Sequence, residues 1–180
     1  MDPIAAWHTE HVYFNQLLGL LQRQLDLFHR GEPPDYELMQ DIVTYLRDYS
    51  DQFHHPREDV AFARLAMHCP DMQLMLARIS QEHRVIAHAG EALLELLRAA
   101  LGGAIIAKGE IEMAIATYLV YYGNHIAREE EDVLARAAKE LTPEDWDAVR
   151  AAVPAVRDPL FDGDAQERYQ ALRRQIALAA

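Results

Sequence analysis

The sequence predicts an all-α protein: an antiparallel up-down four-helix bundle with two shorter C-terminal helices. Three observations carry that expectation. Apolar residues recur at helical spacing through four long stretches, and no segment reads as a convincing strand. Glycine and proline are sparse and fall in clusters between those stretches. A pattern of histidines and glutamates repeats in the two halves at an offset of roughly 70 residues, which implies two similar helix pairs related by a pseudo-twofold.

The first helix is expected from about Ile4 to Arg30, with a stripe of Ile4, Trp7, His11, Phe14, Leu18, Leu21, Leu25 and Phe28. Gly31 to Asp35 ends it and starts the next. The second runs from about Tyr36 to Met67 and contains Pro56. Proline lacks an amide hydrogen and clashes with the carbonyl four residues back, so a kink or bulge is expected there. The third helix covers about Met72 to Leu101, and Gly102-Gly103 closes it. The fourth covers about Ala107 to Leu141, with Tyr118, Tyr122, His125, Glu129 and Val133 on one face. Thr142-Pro143 then reads as an N-cap and first helical position. A short helix to about Val153 follows, and a last amphipathic one from about Ala165 to Leu178. Residues 1–141 are expected to form the bundle, and 142–180 an accessory segment that packs on the bundle or on a dimer partner.

The composition is that of one soluble globular domain, half hydrophobic and a quarter charged. A formal net charge of −12 repels phosphate backbones and anionic lipid, which argues against nucleic-acid and membrane partners. The single cysteine, Cys69, excludes an intrachain disulfide and a cysteine-based zinc site. The stretch from Ile111 to Tyr122 is too short to span a bilayer, and the N-terminus lacks the pattern of a signal peptide, so a cytoplasmic protein is expected.

The candidate chemistry lies in the repeat. His54 stands four residues before Glu58, and His125 four before Glu129, so each pair shares a helix face. His11 and His83 stand at matching positions on the preceding helices. One histidine on an apolar face is more often a hydrogen-bonded core residue than a ligand. Four on four helices, with two carboxylates in a repeated register, point to metal, because two buried carboxylates without compensation cost several kcal/mol each. Imidazole and carboxylate without thiolate suit iron, manganese or zinc, and two carboxylates among several histidines suggest two bridged ions. Ferritin-like di-iron bundles use Glu-x-x-His and more carboxylates; here the order is reversed and histidine predominates.

These residues resemble the hemerythrin-like (HHE cation-binding) proteins: His, His-x-x-x-Glu, His, His-x-x-x-Glu, with His-His-Pro-Arg-Glu-Asp at 54–59 and His-Ile-Ala-Arg-Glu-Glu at 125–130. The resemblance covers about residues 4–140. It implies a four-helix bundle around a non-heme di-iron centre with an oxo or hydroxo bridge. His11, His54, His83 and His125 would be terminal ligands and Glu58 and Glu129 bridging carboxylates. Oxygen-carrying members have a second histidine four residues away on the third helix, where this chain has Ile79 and Ala87. A fifth imidazole would come from His55, next to the motif, or from His8 or His88.

Glu10 and Glu82 precede ligand histidines in both halves and are candidates to support them, while Tyr45, Tyr49, Tyr118 and Tyr122 line the approach. Asp59, Glu130, Glu131 and Asp132 read as a solvated face. The expected function is binding or sensing of a small ligand: dioxygen, peroxide or nitric oxide. The rivals are a di-iron enzyme reducing peroxide or nitric oxide with an outside electron donor, and an iron-responsive regulatory or iron-handling protein.

Overall fold

The computed structural model describes residues 2–163 and 167–179. Among them the chain is helical, with no strand and no helix long and apolar enough to cross a membrane. Helix α1 spans Pro3–Arg30. Asp2 caps it by accepting from the Ile4 amide, Pro3 fills its first position, and Gly31 ends it at φ 73°, a left-handed conformation that glycine adopts without a Cβ penalty. Its buried face includes Trp7, His11, Phe14, Leu18, Leu21, Leu25 and Phe28, as its periodicity implies.

The second long helix has three parts: α2 at Tyr36–Tyr45, a π-helical stretch at Leu46–His54, and α3 at His55–His68. Pro56 lies in the first turn of α3, so the expected bulge is present and extends through the two turns before it. A 3-10 turn at Pro70–Met72 leads into α4, Gln73–Leu101. The fourth long helix departs from expectation. It comprises α5 at Lys108–Arg128, a π-helical turn at Glu129–Val133 and α6 at Leu134–Glu140. No proline announces that turn. It begins on Glu129 and Glu130, two neighbouring carboxylates that both face the site described below, and its wider winding shifts the helical phase by a residue.

Helix α4 packs on α5, α1 on α5, and α2 on α4, so the long helices wrap one core. That core divides into two apolar clusters. One is centred on Phe14, Ile42, Tyr45, Leu94 and Tyr118, the other on Trp7, Phe62, Leu65, Ile79 and Val133. Both clusters bury their side chains from solvent, and the polar centre draws its residues from the same helices.

Helix α7, Pro143–Ala152, starts with the expected Thr142 cap, here a capping box with Asp145, and packs on α3. After a 3-10 turn at Glu167–Tyr169, helix α8, Gln170–Ala179, packs on α1 and α2. The expected start of that helix at Ala165 lies outside the described residues. The segment between α7 and α8 is tied down by Asp158, which accepts from Tyr45 Oη at 2.7 Å, and by Phe161, whose ring stacks on Tyr13 at 3.9 Å.

Candidate metal centre

Five imidazoles and two carboxylates meet in the interior: His11, His54, His55, His83, His125, Glu58 and Glu129, all buried. They form two overlapping groups, His11 with His54 and Glu58, and His55 with Glu58, His83 and His125; within each group the donor atoms lie within 4.8 Å of one another. Glu58 belongs to both. Its Oε1 lies 3.5 Å from His11 Nε2 and 3.2 Å from His54 Nε2, and its Oε2 lies 3.6 Å from His83 Nε2. Glu129 also spans the groups: Oε1 is 3.4 Å from His83 Nε2, while Oε2 is 3.2 Å from His125 Nε2 and 3.4 Å from His11 Nε2.

His54 and His55 are consecutive, yet both face the centre. The π-helical stretch ending at His54 makes this possible, because a wider turn brings neighbouring side chains closer in direction than an α-helix does. The His55 ring stacks on His83 at 4.2 Å and 9°. Its Nε2 is 3.3 Å from Ser50 Oγ, which in turn is 2.5 Å from Tyr122 Oη.

The outward nitrogen of every one of the five imidazoles faces a carboxylate. His54 Nδ1 pairs with Glu10 at 2.5 Å, His125 Nδ1 with Glu82 at 3.4 Å, His83 Nδ1 with Asp59 at 2.9 Å, His11 Nδ1 with Glu130 at 2.7 Å, and His55 Nδ1 with Asp51 at 3.2 Å. A carboxylate at Nδ1 fixes the ring's orientation and tautomer and leaves Nε2 as the inward donor atom. Arg57 and Arg128 complete the pattern by donating to Glu10 and Glu82.

Taken as protein groups alone, the cluster distributes its charge through shared protons. Burial opposes charge on His11 and His83, but hydrogen bonds to Glu130 and Asp59 and the nearness of Glu58 and Glu129 outweigh it, raising each imidazole to about 10. His54 and His125 are also raised, against burial, by Glu58 with Glu10 and by Glu129 with Glu82. Burial pushes Glu58 and Glu129 up, yet the imidazoles around them hold both below the usual carboxylate range. His55 differs: burial, then His83, His125 and His54, push it well below its ordinary value, so it stays neutral.

The donor set fits cations. Both oxygens of Glu58, Glu129 Oε2 and His125 Nε2 are buried without a hydrogen-bond partner, a costly arrangement unless something else meets them. Donors held about 2.0–2.2 Å from a shared cation are themselves about 3–3.5 Å apart. The His11–His54–Glu58 triangle, with sides of 3.1, 3.5 and 3.2 Å, has that size.

All seven candidate ligands read from the sequence are brought together. His8 and His88 are not: both are exposed, and His8 instead pairs with Glu130 at 2.9 Å. Two expectations need correction. Asp59 and Glu130 are not merely solvated; Asp59 reaches across to His83 on α4 and Glu130 to His11 on α1. The fourth helix, expected as one helix from about Ala107 to Leu141, is interrupted by a π-helical turn that begins at the glutamate of the second His-x-x-x-Glu. Asp51, Ser50, Arg57 and Arg128 were missed. The repeat held a signal for the arginines and the acids, because Arg57-Glu58-Asp59 and Arg128-Glu129-Glu130 recur at the same offset. Of the tyrosines, Tyr49 donates to Glu10 at 3.0 Å and Tyr45 to Asp158, so their hydroxyls are satisfied.

A family model described as the hemerythrin HHE cation-binding domain matches residues 2–137. No curated protein and no solved structure matches the chain. The matched region holds all seven converging residues, and with most of the chain covered, the protein belongs to the hemerythrin HHE cation-binding family.

Proposed function

We propose that this chain is a non-heme di-iron protein, built as an antiparallel up-down four-helix bundle over residues 1–141, that binds or senses dioxygen, peroxide or nitric oxide. The observation that best supports this is the balance of the donor set: five imidazoles against two buried carboxylates, each carboxylate reaching both groups. Neutral imidazole leaves the ions with little compensating negative charge, which suits reversible ligand binding more than deep oxidation. Manganese or zinc are the alternative ions.

His11 and His54 would hold one ion and His55, His83 and His125 the other, with Glu58 and Glu129 between them. When bound, an iron pair supplies reversible redox change and an open coordination position. The His11–His54 group has one imidazole fewer, so an open position would fall on that side. The protein's own part at that position is exclusion and orientation. Phe14, fully buried, sets its ring edge-to-face on His54 at 4.9 Å and shields the group with an apolar wall. Glu130 and Glu10 hold the two rings so that Nε2 points inward.

A second reading, reduction of peroxide or nitric oxide, is favoured by one feature. The Tyr122 hydroxyl is hydrogen-bonded to Ser50 against His55, which gives the site a buried hydroxyl proton. Aerobically purified protein tests the first reading by metal analysis and optical absorption. Iron at about two per chain, with the bands of an oxo-bridged diferric centre, is the expected result. One zinc per chain, or no bound metal after purification, sinks it. Multiple turnovers of peroxide with an added reductant would instead select the enzyme.

A further inference from the structure

We propose that the cleft between the first turns of α1, the start of α3 and helix α7 is a binding site for a small aromatic carboxylate. The cavity has a volume of about 150 Å³, and its walls include Pro3, Trp7, Arg57, Trp146, Val149 and Arg150. That is room for a single ring with a short substituent, and too little for a nucleotide.

The lining chemistry selects the class. Trp7 and Trp146 meet edge-to-face at 5.3 Å and 65°, and Pro3 and Val149 add apolar wall, so a flat apolar body is accommodated. Two arginines, Arg57 and Arg150, line the same cleft, in a chain whose net charge of −12 otherwise repels anions. A guanidinium matches a carboxylate with two parallel hydrogen bonds. Arg57 donates from Nε to the Phe53 carbonyl and from Nη2 to Glu10, and among the described residues its Nη1 makes no hydrogen bond. Among the described residues Arg150 pairs with Asp147 on its own helix, and both are largely exposed, so that pair yields to a ligand at little cost. One wall comes from residues beyond 137, outside the matched domain, so this chain's C-terminal segment completes the cleft, which adjoins the metal centre through Arg57 and its partner Glu10.

The chain's two tryptophans, Trp7 and Trp146, both line this cleft, so tryptophan fluorescence, excited selectively over the tyrosines, reports on it. Metal-loaded protein is titrated with benzoate, followed by fluorescence and by calorimetry, beside benzyl alcohol and cyclohexanecarboxylate. Arg57 also anchors Glu10, so the variant is placed on exposed Arg150, as Arg150→Glu, with metal content and melting curve verified unchanged. Saturable benzoate binding, weaker by roughly tenfold in Arg150→Glu and weaker by roughly tenfold for each analogue, is the expected result. Three results overturn the proposal: no saturable response to millimolar benzoate, equal binding of the neutral alcohol, or equal affinity in Arg150→Glu.

Discussion

Arg57 grips Glu10 with one amino group, Nη2 lying 2.9 Å from Oε1 and 2.7 Å from Oε2, and the same carboxylate holds His54. In the other half Arg128 grips Glu82, which faces His125. Each arginine stands one residue before a central glutamate, so every helical turn that supplies a central carboxylate also fixes the imidazole one turn earlier through a glutamate on a neighbouring helix. Removing the charge while keeping the shape isolates this orienting role. Glu10→Gln and Glu82→Gln are each expected to lower metal affinity by about 10–100-fold, measured by competition with a chelator, with the helical fold intact by circular dichroism. The Glu10 variant should lose more, because its hydrogen bond to the ring is shorter, 2.5 Å against 3.4 Å, and it also accepts from Tyr49.

The acids that follow the central glutamates reach the opposite way. Glu130 accepts from His11 at 2.7 Å and Asp59 from His83 at 2.9 Å, so the two halves are joined by a reciprocal exchange. Glu131, the next residue, is exposed. Glu130→Ala should weaken metal binding roughly tenfold in the same competition assay, whereas Glu131→Ala should leave it unchanged. Equal effects of the two variants would show that Glu130 acts only through surface charge.

The stripes of α1 and α4 were legible because α-helical winding runs unbroken through His11 and His83. That His54 and His55 both face the centre was not, because an α-helical projection forces one of two consecutive residues outward, and the π-helical stretch removes that constraint. Pro56 gave warning of it. Nothing similar marked the turn at Glu129–Val133, whose cause is tertiary: two adjacent acids drawn to one site. Glu10 and Glu82 could be recognised as support, but not the rings they support. Each faces a histidine more than 40 residues away and not its neighbour in sequence, and packing alone decides that.

His55 carries the asymmetry between the halves, since the matching position one repeat later is Ile126. It is the third imidazole of its group, stacked on His83 and buried. His55→Ala should therefore lose the metal of that group preferentially, taking the stoichiometry from about two ions per chain to about one, while His11 and His54 keep theirs. His8→Ala and His88→Ala, both at exposed positions, should bind the full complement. Metal analysis after gel filtration distinguishes these outcomes, and full loading of the His55 variant would exclude it as a ligand.

The protonation of the site sets the sign of its pH dependence. His11 and His83 are raised from 6.5 to about 10 in the protein's own field. In metal-stripped protein that shift contributes stability that is fully present below the unfolded value of 6.5. It is lost as pH rises from there through about 10. Glu58 and Glu129 are depressed, so their contribution is present above the unfolded value of 4.5 and lost as pH falls through their folded values. A cation needs the imidazoles deprotonated, so loading at neutral pH must expel protons, and affinity must rise with pH. Anaerobic addition of ferrous iron to stripped protein at pH 7, followed with an indicator dye, should release protons. The melting temperature of the stripped protein should fall between pH 7 and about 10, and that of the loaded protein should not, because its rings have already given up the protons that alkali would remove. Iron uptake at pH 7 without proton release would show that the cluster holds no displaceable protons before metal arrives, its imidazoles neutral and its carboxylates ionised alike, and would overturn this reading.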